Sequence, residues 1–118
     1  MKTSAAIITF AQSEKVKSGI IWVTQTLELL TGLSLAEQYG AERIIKMLTD
    51  MISHEIRVAK NLTKEALWDD VAKHLDMAQV MINSQMAPEA GFHLTQALTQ
   101  VTSMAQRSMT VLKDEGLL

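Results

Sequence analysis

An all-α fold, an antiparallel up-down four-helix bundle, follows from three observations on this 118-residue chain. Apolar side chains recur at alternating steps of three and four, which is the period of one helix face. Proline occurs once and aromatic residues make up 4%, against 47% hydrophobic residues and eight methionines. Sheets draw on β-branched and aromatic side chains, whereas long helices need stretches without proline. Turn signals cut the chain into segments of about twenty to twenty-six residues, and short turns between long helices make successive helices antiparallel neighbours.

The first helix is expected over 13–31. Val16, Ile20, Val23, Leu27 and Leu30 form its inward stripe, and Gly32 stops it. Residues 1–12 are expected as an arm or as a backward extension of this helix. The second helix, 34–60, opens on Ser34-Leu35-Ala36-Glu37, a capping-box pattern. Its apolar face reads Ala41, Ile44, Ile45, Leu48, Met51, Ile52, Val58, Ala59 and Leu62, with Glu42 and Lys46 paired outside. Asn61 and Thr63 mark a turn, with Thr63 expected to cap the third helix, 63–86. That helix turns Leu67, Val71, Leu75, Ala78 and Ile82 inward and pairs Asp69 with Lys73 outside. Pro88 suits the first turn of the fourth helix, 88–114, since its missing N–H costs nothing there. Leu94, Ala97, Leu98, Val101, Ala105 and Leu112 line its inner side, and Gly116 closes it.

Composition excludes several classes. Cysteine is absent, which removes disulfide frameworks, thiol catalysis and cysteine-ligated zinc or iron–sulfur sites and fits a cytoplasmic location. Eleven basic and 13 acidic residues give a net charge of −2, so no basic footprint for nucleic acid is present. The apolar run from Ala5 to Ala11 is broken by Thr9 and is too short for a membrane span. The expectation is a single cytoplasmic domain without cofactor, nucleic-acid or membrane partners.

Two stretches carry no charge: Ser18–Leu27, which includes Trp22, and Ala90–Gln106, with Thr95, Gln96, Thr99, Gln100, Thr102 and Ser103 outward. Solvated helix faces normally mix charges. A polar, uncharged face desolvates cheaply. This points to an interface on helices one and four, formed by Trp22, Thr95, Gln96, Thr99, Gln100 and Ser103, and to a homodimer. The leading functional expectation is a non-enzymatic helical interaction or assembly protein.

Three histidines carry the remaining chemistry. Ser53-His54-Glu55-Ile56-Arg57 resembles the phospho-accepting box of sensor histidine kinases, in which a helix bears histidine, an acidic residue, Leu or Ile, then Arg or Lys. The resemblance implies a phosphoryl-accepting imidazole at His54, with Glu55 holding the ring and taking its proton. The family's proline and following apolar residue are Ala59 and Lys60 here, and no Gly-rich ATP segment exists. The alternative function is therefore phosphotransfer without kinase activity. Folding helices two and three back at residue 62 sets His54 against Asp70, His74 against Asp50 and Met47 against Met77. Such a cluster is either a hydrogen-bonded register lock or a weak metal site of His54, Asp70, His74 and Asp50, the third functional expectation. The Glu-x-x-His pattern of ferritin-like sites is absent. His93 reads as an interface residue, and Trp22 and Trp68 as packing anchors. No Gly-x-Ser-x-Gly elbow or triad appears.

Overall fold

A computed structural model describes residues 1–118 and contains four helices and no strand. They are α1 Thr3–Leu30, α2 Leu35–Thr63, α3 Leu67–Asn83 and α4 Ala87–Asp114. Each packs on two others: α1 and α3 both lie against α2 and α4, while α1 and α3, like α2 and α4, sit diagonally opposite without close backbone approach. The molecule measures 52 × 22 × 19 Å.

Residues 3–12 extend α1 and form no separate arm, because the extension has a face to bury. Ala6, Thr9 and Ser13 are each 0% exposed. The expected stripe Val16, Ile20, Val23, Leu27 and Leu30 follows them into the core. Ser34 caps α2: its Oγ accepts from the Glu37 N–H at 3.3 Å, and the Glu37 carboxylate accepts from the Ser34 N–H at 3.3 Å. The Ser34 hydroxyl, followed by its backbone N–H, holds the Glu37 carboxyl below its ordinary range.

The α2–α3 boundary differs from expectation. α2 runs on to Thr63 because Ile56 and Ala59 keep its inner stripe in phase, both buried. Lys64 ends it in the left-handed region, with φ 59°. The Thr63 hydroxyl donates back to the Ala59 carbonyl at 2.8 Å, so it belongs to α2 and does not cap α3. α3 starts at Leu67 with no side-chain cap at Ala66, and it stops at Asn83, three residues short of the expected 86. Gln85, at φ 59°, lies in the turn before α4, and Pro88 sits in the first turn of that helix.

Nineteen buried side chains form one core, with Trp68, Val71, Leu75 and Ile82 of α3 and Leu94, Val101 and Met104 of α4 at its centre. A buried Leu, Ile or Met side chain contributes about 1.5–3 kcal/mol relative to exposure. α2 departs most from its expected phase. Ile45, Ile52 and Ala59 are buried as expected, and Thr49 and Ile56 join them. Ile44, Met51 and Leu62 were expected inside and are 66%, 58% and 58% exposed. The apolar arc of α2 is wider than the strip that α1 and α3 cover.

Ion pairs are few and sit on the surface. Asp69 pairs with Lys60 across the α2–α3 turn instead of with Lys73. Arg107 of α4 reaches Glu65 at 3.9 Å, and Glu42 and Lys46 form no ion pair. Exposed pairs of this kind are worth about 0–1 kcal/mol, so apolar burial carries the fold.

Candidate apolar docking site

An apolar break in the surface pattern lies between α1 and α2. Gly19 makes it possible. A Cβ at Gly19 would stand 2.9 Å from Ile52 Cγ1, so the bare backbone lets the two helices approach closely here. To one side of the crossing opens an apolar groove of about 230 Å³, lined by Val16, Trp22, Val23, Leu48, Met51 and Ile52. Trp22 is 63% exposed. Ile44 and Met47 continue the apolar surface along α2 and are 66% and 61% exposed. Single exposed apolar residues are ordinary, whereas clustered ones with an aromatic at the centre mark contact surfaces.

Glu55 and Lys15 close the groove at one end. Gln12 Nε2 donates to the Glu55 carboxylate at 3.0 Å and to the Glu55 backbone carbonyl at 3.1 Å, and Lys15 approaches the same carboxylate at 3.4 Å. The Gln12 hydrogen bond, ahead of the charges of Lys15 and His54, holds the Glu55 carboxyl below its ordinary range despite an opposing desolvation effect.

The histidines lie elsewhere than the fold-back at residue 62 requires. His54 is exposed and makes no hydrogen bond or ion pair, and the same is true of Asp70 and Asp50. His74 meets His93 of α4: the two Nδ1 atoms are 3.3 Å apart, one ring donating and the other accepting. Phe92 packs edge-on against His93, with centroids 5.4 Å apart. The turn falls near Lys64–Glu65, beyond residue 62, with the Lys60–Asp69 pair across it. That shift turns His54 away from Asp70 and His74 away from Asp50, so the expected Asp/His cluster does not assemble. No three His, Asp or Glu side chains converge on a metal position.

The expected interface residues lie on two separate faces. Trp22 faces α2 across the groove. Thr95, Thr99 and Ser103 are exposed on α4, with Gln96 and Gln100 half-buried beside them. The Thr95 and Thr99 hydroxyls donate back to the carbonyls of Gly91 and Thr95 at 2.9 and 3.0 Å, which blunts that face as a polar contact surface. The apolar surface of Ile44, Met47 and Met51 is absent from the sequence expectation, although one signal for it was present. Apolar residues on α2 occupy more of the helix circumference than one inward stripe needs.

No protein-family model matches the chain, and neither a curated protein nor a solved structure matches it.

Proposed function

We propose that this protein is a non-enzymatic assembly module that docks a helical partner on its α1–α2 face. The observation that carries the reading is the clustering of Trp22, Ile44, Met47 and Met51 on one exposed surface beside an apolar groove. Trp and Met suit such a role. An indole supplies a large rigid contact, and a thioether adapts to the shape it meets. We take the bundle as antiparallel and up-down. Glu65–Arg107 and His74–His93 support this, since residue numbers rise along α3 as they fall along α4. The cysteine-free composition favours action in the cytoplasm, and no helix is long and apolar enough to cross a membrane.

The test is crosslinking of the native protein, with intermolecular crosslinks mapped by mass spectrometry. They are expected near Trp22 and Met51 and should fall sharply in Trp22→Ala/Met51→Ala. Crosslinks that survive this change but vanish in Thr99→Ala/Ser103→Ala would move the interface to α4 and sink the reading.

One observation favours a second reading, phosphotransfer at His54. Its ring is exposed and unpartnered, as an incoming phosphoryl group requires. Glu55 weighs against it, because its carboxylate is turned toward Gln12 and Lys15. Incubation with phosphoramidate should label the wild type and spare His54→Ala. Equal labelling of both would end the phosphotransfer reading.

A further inference from the structure

The exposed face of α2 has an internal symmetry that names its occupant. Gly40, Ile44, Met47, Met51 and His54 follow one another at steps of four, three, four and three, the spacing of a coiled-coil seam. All five are exposed, so this stripe is separate from the buried one of Ile45, Thr49, Ile52 and Ile56. Along one flank, one heptad apart, stand Arg43, Asp50 and Arg57, all exposed and none in an ion pair. The other flank is Ala41, Leu48 and Glu55, and Leu48 and Glu55 lead into the groove under Trp22.

We propose that the occupant is a second copy of this chain, its α2 laid antiparallel on the first across a two-fold axis, with Ile44 of each copy packed against Met47 of the other. This rests on the docking surface proposed above and fixes its partner and register. The two-fold sets Arg43 opposite Asp50 of the second copy, and by symmetry the same pair forms again. Flanking positions of this kind pair across antiparallel helices and choose the register. The neighbouring register, one heptad along, sets Arg43 opposite Arg57 and Asp50 opposite Asp50, two unfavourable arrangements. The charge pattern therefore selects one alignment.

Gly40 supports the same alignment. It lies within α2, where glycine weakens a helix, and a Cβ there would meet nothing within 4 Å. Nothing inside the molecule explains the missing side chain. In the proposed register Gly40 lies opposite Met51 of the second copy, and the bare backbone leaves room for the long thioether.

Sedimentation velocity on the full chain and on charge-swapped variants tests the seam. The wild type should dimerise. Arg43→Asp and Asp50→Arg each create two like-charge contacts and should weaken the dimer at least about tenfold. The double variant Arg43→Asp/Asp50→Arg restores both pairs and should return to within about threefold of the wild type. Raising salt from about 50 mM to about 500 mM should weaken the wild-type dimer and strengthen that of either single variant. All substituted positions are exposed, and circular dichroism checks that each variant keeps its helices. A monomeric wild type at about 100 μM, or single swaps that leave the dimer unchanged, overturns the seam. If the swaps are silent while Trp22→Ala/Met51→Ala still abolishes association, the α1–α2 docking surface stands and the seam alone falls.

Discussion

Trp68 is 0% exposed and Trp22 is 63% exposed, so the same side chain has opposite energetic weight at the two positions. Trp68→Ala should cost about 3–5 kcal/mol of stability. Trp22→Ala should change the stability of the monomer by less than about 0.5 kcal/mol. Urea unfolding of dilute protein measures both, and iodide should quench Trp22 emission while sparing Trp68. Elsewhere in the core, polarity is a cost. Thr9 Oγ1 and Ser13 Oγ are buried without hydrogen-bond partners, and an unsatisfied buried hydroxyl costs about 1–3 kcal/mol. Thr9→Val keeps the shape and removes the hydroxyl, and it should raise the unfolding free energy by about 1 kcal/mol. An unchanged or lowered midpoint would show that the hydroxyl is satisfied in solution. At this scale the sequence was only partly legible. Val16 and Val71 sit on strong apolar stripes and declared themselves. Thr9, Thr49 and Ser108 are core residues with polar names, and only packing reveals them.

At the scale of elements, the α1–α2 contact turns on one glycine. Gly19→Ala gains about 1 kcal/mol of helix propensity and offsets it by pushing Ile52, so the net change should be close to zero. Gly19→Leu cannot be absorbed in this way and should destabilise by about 1–3 kcal/mol. The same contact makes a pH-dependent contribution. Glu55 has its folded value depressed below the ordinary 4.5, first by the Gln12 hydrogen bond. A depressed carboxyl stabilises above its unfolded value and loses that stabilisation as pH falls through its folded value. Wild type should therefore exceed Gln12→Ala in stability at neutral pH, and the gap should narrow progressively below pH 4.5, measured by urea unfolding across a pH series. Helix existence was readable from periodicity and from Ser34 and Pro88. The end of α2 was not. Asn61 and Thr63 look like turn residues, but Ile56 and Ala59 hold the helix in phase past Lys60. A turn displaced by two or three residues is enough to unmake every cross-helix pair inferred from it, and the Asp/His cluster was lost in this way.

On the scale of the whole molecule, amphipathicity has more to do on α2 than the monomer requires. The outer stripe of Gly40, Ile44, Met47 and Met51 is exposed, adds little to folding and is the seam of the proposed dimer. Met47→Glu should leave the helical signal and the unfolding midpoint of dilute protein nearly unchanged, while driving concentrated protein to the monomer in sedimentation. Loss of fold in this variant would assign the stripe to stability instead. The four-helix architecture was legible because local period and turn chemistry determine it. The location of the proposed contact face was not, since the charge-free stretch of α4 and the excess apolar arc of α2 are both departures from an ordinary helix surface. Only the packing shows which apolar residues the neighbours leave uncovered.

The unequal seams between the helices have a consequence for how the molecule breathes. α4 is clasped between α1 and α3 by the two most extensive seams of the bundle, whereas α2 leans on the same two helices from the other side through thinner ones. Lifting α2 away breaks the two thinner seams and leaves an α3–α4–α1 remnant with the two most extensive ones intact, whereas lifting α4 breaks both of those. Backbone amides should therefore exchange with deuterium in two tiers. The inner residues of α4, Leu94 to Met104, are expected to exchange only through global unfolding, and Ile45 to Ile56 through a cheaper excursion in which α2 departs alone.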